Sequence, residues 1–326
     1  MRRRNFLALL GAATAVSGTG AARPAQAQAY PARTITLVAP IAAGGAVDTA
    51  ARILAEKLQE QLQGSVVVEN RTGAGGMIGT ASVAKAPPDG YTLLLMEPSA
   101  ALAKWLHKNV SFDVIVDFTP IALVATSPLV LFARPSLPAN DIKQLIAYSK
   151  ANPGKLAVGT PGIGSPHHMA VLLLNAAAGI DIPQISYRGS APALSDLLGG
   201  QIPLIWSTPI AVMPFVEQGK VKALGVSTEQ RVAILPQVPT IAENALPGFH
   251  IDAWLGVAAP ANTTPEAVTR LGGAIRAITE LSEVEQRMSP LGFRLDYRPA
   301  QEFRQLIASE HQRYGDVIRA AGIVPN

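Results

Sequence analysis

The side chains best suited to chemistry lie in two glycine-rich turns, each followed by a predicted helix. In the first turn Gly44-Gly45 precede Asp48, and in the second Ser165 stands three residues before His168. A serine and a histidine at that spacing can touch, which is the first requirement for an activated nucleophile. No G-x-S-x-G elbow surrounds the serine, and no acid is placed to orient the imidazole. These residues therefore favour binding over catalysis.

The sequence offers few groups for a metal or a dinucleotide. It contains no Cys and no H-E-x-x-H pair, so we expect no metal site. The segment Gly73–Gly79 has the spacing G-x-G-G-x-x-G, which departs from the dinucleotide fingerprint G-x-G-x-x-G. We expect no cofactor, and an exported dinucleotide-dependent oxidoreductase stays as the enzyme alternative.

The first turn has the form of an anion-binding site. The apolar run Ile35–Ala39 predicts a strand, and Ile53, Leu54 and Leu58 predict one buried face of the helix that follows. Such a unit aims backbone N–H groups and the positive end of a helix dipole at one point. A carboxylate or phosphate there gains about 0.3–2 kcal/mol from the dipole. The alternative is a purely structural first turn of an α/β domain.

Strands and helices alternate along the rest of the chain, which predicts an α/β architecture with largely parallel sheets. Two Pro-punctuated segments, Leu129–Pro138 and Val226–Pro239, are predicted to cross between lobes. They divide the chain into a first lobe of residues 30–133 plus 236–326 and a second lobe of residues 134–235. One glycine-rich turn would then belong to each lobe, so that the two could close on a ligand from opposite sides.

Residues 1–29 have the three parts of a secretory signal peptide. Arg2-Arg3-Arg4 precede the apolar run Phe6–Val16, and an A-x-A pattern places cleavage near Ala27 or Ala29. The segment Arg3–Leu7 also fits the twin-arginine pattern R-R-x-F-L, so both export routes stay open. The apolar run is too short to span a bilayer. The sequence therefore predicts a periplasmic protein.

Charge and cysteine content limit the partners. Residues 1–29 hold four of the 27 basic residues and no acid, so the remaining 23 basic residues equal the 23 acidic ones. A balanced mature chain gives no reason to expect nucleic acid or an anionic membrane surface as partner. Without Cys it has neither disulfides nor a lipid-modified Cys anchor. We expect a monomer that is free in its compartment.

Eight short motifs, in order over nearly the whole mature chain, carry a family resemblance. They are Pro40–Asp48, Val67–Gly76, Pro88–Leu94, Gly162–His168, Tyr187–Leu194, Leu197–Gln201, Leu235–Thr240 and Ala320–Ile323. Together they resemble the Bug family of periplasmic solute-binding proteins, the receptors of tripartite tricarboxylate transporters. Each motif alone is weak, whereas the ordered set is specific.

This resemblance implies a two-lobed periplasmic-binding-protein fold of type II. Each lobe would be a mostly parallel sheet flanked by helices, and two crossover strands would join the lobes. In that family a carboxylate is held mainly by backbone N–H groups and ordered waters of the two turns. The ligand-binding residues that this implies here, together with cleft-lining positions, are Ala43, Gly44, Gly45, Asp48, Gly76, Ser99, Thr160, Gly162, Ser165, His168 and Tyr187.

Several positions depart from the family pattern. Val47 stands where a hydroxyl residue commonly precedes the loop Asp, and Pro166-His167 replace small hydroxyl residues. The segment Pro203–Thr208 lacks the acids often found there, whereas Glu97 adds one after a strand. If Glu97 faces the cleft, it could bind an amine or a protonated ring nitrogen. Whether Glu97 and His167 face the cleft stays open at this point.

The predicted function is that of a periplasmic solute-binding protein without catalysis. It would capture a small carboxylate by hinge closure and deliver it to the membrane subunits of a tripartite tricarboxylate-type transporter. The solute class stays open between dicarboxylates, aromatic carboxylates and amino acids. A sensor kinase that reads the closed form is the alternative partner.

Overall fold

The computed structural model describes residues 30–325, and their strands form two sheets. The first sheet contains β1 (Ile35–Ala39), β2 (Val66–Asn70), β3 (Thr92–Met96), β4 (Phe118–Pro128), β10 (Asp252–Pro260) and β11 (Arg294–Pro299). The second contains β5 (Val130–Ala133), β6 (Val158–Thr160), β7 (Gln184–Ser186), β8 (Leu204–Ser207) and β9 (Lys222–Val226). We call each sheet with its helices the first and the second lobe. The predicted signal peptide lies outside the described residues.

Helices flank both sheets. They are α1 (Ala46–Leu62), α2 (Met77–Ala84), α3 (Pro98–Leu106), α4 (Ile142–Ala151), α5 (Pro166–Ala178), α6 (Ser190–Leu198), α7 (Pro209–Glu217), α8 (Ile241–Asn244), α9 (Pro265–Thr279), α10 (Ser282–Met288) and α11 (Ala300–Ala320). Two 3-10 turns, Ala74–Gly76 and Ser289–Leu291, precede α2 and β11. Within residues 30–325, no helix combines the length and apolar character that a membrane crossing requires.

The two sheets repeat one strand order. Neighbours run β2-β1-β3-β10-β4-β11 in the first sheet and β7-β6-β8-β5-β9 in the second. In each sheet, four strands that follow one another in the chain share a direction, and an antiparallel strand separates the third from the fourth. That inserted strand, β5 or β10, is where the chain enters from the other sheet.

The predicted α/β class and helix-flanked two-sheet architecture are confirmed, and each sheet combines four strands of one direction with antiparallel strands. The inserted strands pair antiparallel with both neighbours, and β11 pairs antiparallel with β4. The reason is that β4 and β5 are separated by Leu129 alone, so the chain enters the second sheet without a turn. Strand β5 joins the second sheet, whereas the predicted division has Val130–Ala133 in the first lobe. The division by residue number stays a prediction.

Both faces of the first sheet are covered. Leu58 of α1 and Ile275 of α9 pack on one face with Leu93. Trp254 and Phe303 belong to the core on the other face. The buried positions of α1 include the predicted apolar face, because the helical spacing directs those side chains at the sheet.

The C-terminal helix α11 packs against both lobes. Its Phe303 and Ile307 lie in the core of the first sheet, whereas Tyr314 and Ile318 lie in the core around the second. It contacts α3 of the first lobe and α5 of the second. The helix therefore lies alongside the two chain crossings and links the lobes.

Candidate functional site

The strand order creates a crevice at the carboxyl edge of each sheet. Helices α1 and α3 follow the adjacent strands β1 and β3 but pack in the cores on opposite faces. Helices α5 and α7, which follow β6 and β8, do the same in the second lobe. Ligands of open α/β sheets bind where neighbouring strands send their connections to opposite sides. The N-termini of these four helices therefore frame the candidate site.

In the first turn, Asp48 holds the loop from its buried side. Its Oδ2 accepts hydrogen bonds from the Gly44 N–H at 2.9 Å and from Arg52 Nε at 3.0 Å. Its Oδ1 accepts from Asn70 Nδ2 at 2.8 Å, and the same amide donates to Ile41 O at 3.2 Å. Burial alone would raise the pKa of Asp48, but the bonds from Arg52, Gly44 and Asn70 outweigh it and lower the pKa to about 2. The carboxylate stays ionised and positions the turn.

The N-terminus of α1 keeps its backbone donors free. Its N-cap is Gly45, which has no side chain to accept from the helix. The N–H groups of Ala46, Val47 and Asp48 have no acceptor among residues 30–325. Residues 42–46 are exposed. These three donors, which we call the anion seat, lie at the positive end of the helix dipole.

Gly76 and Ser99 lie beside the anion seat. A Cβ at Gly76 would lie 3.0 Å from Pro40 O, and its φ of +92° also favours glycine. This close approach places the turn Ala74–Gly76 against the end of β1. Helix α3, which carries the half-buried Ser99 in its first turn, packs on the same turn. The first-lobe residues predicted to line a cleft therefore adjoin one another.

Glu97 is the N-cap of α3 and follows β3 directly. Strands β1 and β3 are parallel, and Val38 of β1 pairs with Leu94 of β3. Three residues further along both strands, Glu97 lies opposite Ile41, at the start of the first turn. The side chain is half-buried and makes no capping bond to α3. Burial raises the pKa of the Glu97 carboxyl to about 7, and no charged or hydrogen-bonding group of the described residues offsets this. The acid thus lies at the crevice without a partner.

In the second turn, half of the backbone donors of residues 162–168 are already used. Ser165 Oγ donates to Gly162 O at 2.7 Å and accepts from the His168 N–H at 3.2 Å. His168 Nδ1 accepts from the Gly164 N–H at 3.2 Å. Burial lowers the pKa of His168 to about 4, so the imidazole is neutral with its proton on Nε2. Pro166, the first residue of α5, has no N–H to offer.

His167 is a buried imidazole without a partner. Both ring nitrogens are inaccessible to water and make no hydrogen bond within the described part of the chain. Burial lowers the pKa of His167 to about 4, which keeps the ring neutral. The residue lies in the first turn of α5. It provides an unsatisfied polar group beside the second turn.

Thr160 and Tyr187 support the second turn from inside the lobe. Thr160 is fully buried, and its Oγ1 accepts from Gln184 Nε2 at 2.6 Å. Tyr187 donates its hydroxyl to Asp196 at 2.7 Å, and burial together with Asp196 raises the pKa of Tyr187 to about 12. Both hydroxyls are therefore engaged within the protein. Contact of either hydroxyl with a ligand stays a prediction.

The structure separates the predicted residues into an edge group and a supporting group. The edge group lines the two crevices and comprises Ala43, Gly44, Gly45, Gly76, Glu97, Ser99, Gly162, Ser165 and His168. Asp48, Thr160 and Tyr187 hold the turns. The second turn also approaches the first lobe, because a Cβ on Gly164 would lie 3.4 Å from Leu106 of α3.

Sequence reasoning missed Asn70 and Thr208. Asn70 lies 22 residues from Asp48, and no local pattern joins the two. Thr208 occupies the N-cap position of α7 after β8 just as Glu97 occupies that of α3 after β3, and each residue is followed by Pro. This repeated strand–cap–Pro pattern is the signal that could have found Thr208.

No group of three or more His, Cys, Asp or Glu in residues 30–325 is arranged to hold a metal ion. A cavity of about 490 Å³ lies elsewhere, between α4, the end of α5 and α8. Lys143, Ile146 and Leu246 line it, and it includes no residue of the edge group.

Two sheets of one strand order, joined by two crossings and carrying glycine-rich turns at their carboxyl edges, define a two-lobed binding protein. A model of the tripartite tricarboxylate transporter family receptor (TctC) matches residues 50–323. The chain belongs to this family of periplasmic receptors, and the predicted Bug-family resemblance is confirmed. Its relatives are receptors and binding proteins, so the chain is not an enzyme and the oxidoreductase alternative falls away.

Similar proteins match over nearly their full length. Protein BugT of Bordetella pertussis is 37% identical over 324 residues, which is 99% of each chain. The structure of the periplasmic binding protein BugD matches with a TM-score of 0.76 and 36% identity, over 91% of this chain and 100% of that one. An R. palustris protein solved with adipate matches with a TM-score of 0.79 and 33% identity, over 91% and 100%.

Proposed function

We propose that this receptor captures a small carboxylate between its lobes, with the carboxylate on the anion seat of α1. The observation that carries the proposal is the uncapped helix end, where Ala46, Val47 and Asp48 present free N–H groups. Helix N-termini with free donors bind anions, and each charge-assisted hydrogen bond is worth about 1.5–3 kcal/mol. The similar protein solved with adipate, a dicarboxylate, supports the same chemistry.

The second lobe would close over the bound solute. In its turn three of the six backbone donors of residues 162–168 already have acceptors, and α5 begins with Pro, so we assign the main anion site to the first lobe. A ligand shifts a conformational equilibrium only by its differential affinity for the two states. A solute held in the first lobe and contacted by Gly162 and His168 in the second satisfies that condition. The chain crossings at Leu129 and before β10, with α11 alongside, are the elements that would flex.

The closed form would be the species that membrane subunits of a tripartite tricarboxylate-type transporter recognise. The family assignment supports this partner class. Delivery in the periplasm requires export, for which residues 1–29 are the predicted leader. Cleavage near Ala27 or Ala29 is testable by N-terminal sequencing of the protein recovered from periplasm.

The test is a ligand screen on leaderless protein that has been unfolded and refolded to remove any carried solute. The panel contains mono-, di- and tricarboxylates, amino acids and nicotinate, with the methyl ester of each acid as its uncharged control. A ligand at one hundred times its Kd stabilises the folded state by about 2.7 kcal/mol, which gives a clear thermal shift. We expect shifts from one carboxylate class and none from its esters. Equal shifts from acids and esters would contradict the anion seat.

A further inference from the structure

Glu97 differs from the other shielded acids of residues 30–325 in having neither a hydrogen bond nor an opposite charge nearby. Asp252 also has an unpaired buried oxygen, but Arg294 lies near it as a counter-charge. Asp48 accepts hydrogen bonds from Gly44, Arg52 and Asn70. Glu310, which is buried, accepts from Trp254 Nε1 at 2.7 Å. Glu97 is half-buried and has neither hydrogen bond nor counter-charge among the described residues. A shielded charge without a partner is costly, so its retention at a binding crevice points to a partner that arrives from outside.

The position of Glu97 ties that partner to the ligand. Glu97 lies level with Ile41 on the neighbouring strand, at the edge where Gly76 approaches Pro40. The anion seat begins five residues after Ile41 on the same turn. A solute whose carboxylate occupies the anion seat therefore has its remaining atoms near Glu97. A second carboxylate there would meet like charge, whereas a cation would meet its counter-ion.

The second lobe does not repeat this charge. Thr208 occupies the position that corresponds to Glu97, and its side chain makes no capping bond. His167 is neutral and leaves both ring nitrogens unpartnered. At these two positions the second lobe offers uncharged hydrogen-bonding groups, so the charge of Glu97 is not duplicated across the crevice.

We propose, building on the proposed carboxylate site, that Glu97 is the specificity-determining residue and that it pairs with a protonated amine or ring nitrogen of the solute. The preferred ligand is then a carboxylate that also carries a cationic nitrogen, rather than a plain dicarboxylate. Glu97 forms the ion pair, and the anion seat of α1 holds the carboxylate.

Proton exchange on binding gives a test that needs no variant. With a pKa raised to about 7 by burial, the Glu97 carboxyl is partly protonated in the free protein at neutral pH. A cationic nitrogen beside it favours the carboxylate, so binding releases a proton. A plain dicarboxylate favours the protonated form, so binding takes a proton up. Calorimetry at pH 7 in buffers of different ionisation enthalpy measures the sign directly.

The deciding experiment compares ligand pairs in which one member carries an amine and the other does not. The probes are 6-aminohexanoate against adipate and glutamate against glutarate, because both amines are already protonated at pH 7. Each is titrated into leaderless wild type, Glu97→Gln and the control Glu280→Gln. Glu280 is an exposed first-lobe acid that pairs with Arg276, so its loss changes net charge equally.

In at least one pair, wild type and Glu280→Gln should bind the nitrogen-bearing member at least 10-fold more tightly and release a proton. Glu97→Gln should lose that preference and keep or improve binding of the plain carboxylate. Equal preference in Glu97→Gln and wild type, or proton uptake with the nitrogen-bearing ligand, would overturn the role of Glu97. Wild type that binds plain carboxylates alone would refute the inference and leave the proposed function standing. Wild type that binds no carboxylate would contradict the proposed function itself.

Discussion

The two lobes share one strand order but begin their crevice helices differently. Helices α3, α5 and α7 each start with Pro, at Pro98, Pro166 and Pro209. Helix α1 starts with Ala46 after Gly45 and keeps its first N–H. Proline suits the first helical position, where its missing N–H is otherwise unpaired. Proline therefore removes one donor at each of the other three helix ends, whereas α1 keeps all of its first donors where an anion is expected.

The two turns are held by the same device with different charge. In each, a side chain four residues after a glycine accepts that glycine's N–H, from Gly44 to Asp48 and from Gly164 to His168. In the first lobe the acceptor is a carboxylate tied to Arg52, and in the second it is a neutral imidazole. The comparison shows that a neutral acceptor can hold such a turn. The negative charge of Asp48 in the first lobe therefore needs an explanation other than the geometry of the turn.

The largest expected effect comes from exchanging the two acceptors for Asn. Asp48→Asn places an amide N–H₂ group among the donors of Arg52 and Asn70. The free energy of unfolding, measured in urea, should therefore fall by about 2–3 kcal/mol. His168→Asn keeps an acceptor for the Gly164 N–H and should lose about 1 kcal/mol. A greater loss for His168→Asn would contradict the assignment of Asp48 as the stronger support.

The local parts of this comparison were predictable from sequence, and the long-range parts were not. Strand, turn and helix follow from Ile35–Ala39, the glycines and the spacing of Leu54 and Leu58. The partner of Asp48 is Asn70 on the next strand, and only the parallel register brings the two together. The crossings themselves were predicted, but the antiparallel pairing of β5 and β10 with both neighbours was not, because no local pattern shows which strands a crossing segment joins.

The hydrogen bonds of the site hydroxyls could not be predicted, because their partners are distant in the chain. Gln184 on the neighbouring strand donates to Thr160. Tyr187 likewise donates to Asp196 of α6. The edge positions of Gly44 and Gly162 were predictable because glycines between a strand and a helix mark the carboxyl edge of a sheet.

Acidification should weaken the second turn before the first. The pKa values of His167 and His168 are lowered from 6.5 to about 4, so the stability that they contribute above pH 6.5 is lost as the pH falls towards 4. Asp48 has its pKa lowered from 3.8 to about 2, so its contribution is lost only below about pH 4. Relative to a variant that lacks both imidazoles, wild type should lose about 1–2 kcal/mol of unfolding free energy between pH 7.5 and 5, as measured by urea unfolding. The raised pKa values of Glu97, Asp252 and Glu310 act in the opposite direction, but they do so in both proteins.

The variant pair for this prediction is His167→Gln with His168→Asn, against Asp48→Asn. The double variant should lose less stability than wild type between pH 7.5 and 5, because the groups that take up protons on unfolding are gone. Asp48→Asn should show the wild-type slope over that range. If the stability of the double variant depended on pH as that of wild type does, the titrating groups would have to be other residues.

Glu97→Gln should stabilise the ligand-free protein at alkaline pH. The pKa of Glu97 is raised from 4.5 to about 7, so the folded state loses stability as the pH rises through that interval. Removal of the charge should recover about 1–2 kcal/mol at pH 8 and little at pH 4, as measured by urea unfolding. Destabilisation at pH 8 would show that Glu97 has a partner in the free protein.

The smallest effect compares two caps within the second lobe. Ser165 Oγ accepts from the His168 N–H, so Ser165→Ala should lose about 1 kcal/mol of unfolding free energy. The Thr208 side chain makes no capping bond, so Thr208→Ala should change it by less than about 0.5 kcal/mol. If both variants lost the same unfolding free energy, the Thr208 side chain would cap α7, and Thr208 would no longer correspond to the uncapped position of Glu97.

The central claim is that the N-terminus of α1 holds the carboxylate, and Ala46→Pro tests it most directly. Gly45 has φ −86° and ψ 174°, an extended conformation that tolerates a following proline, so the substitution removes one N–H and keeps the helix. Calorimetry with the best carboxylate from the screen should show about 10-fold or greater loss of affinity. Ala46→Ser, which retains the N–H, should bind like wild type. Full affinity in a folded Ala46→Pro protein would contradict the claim.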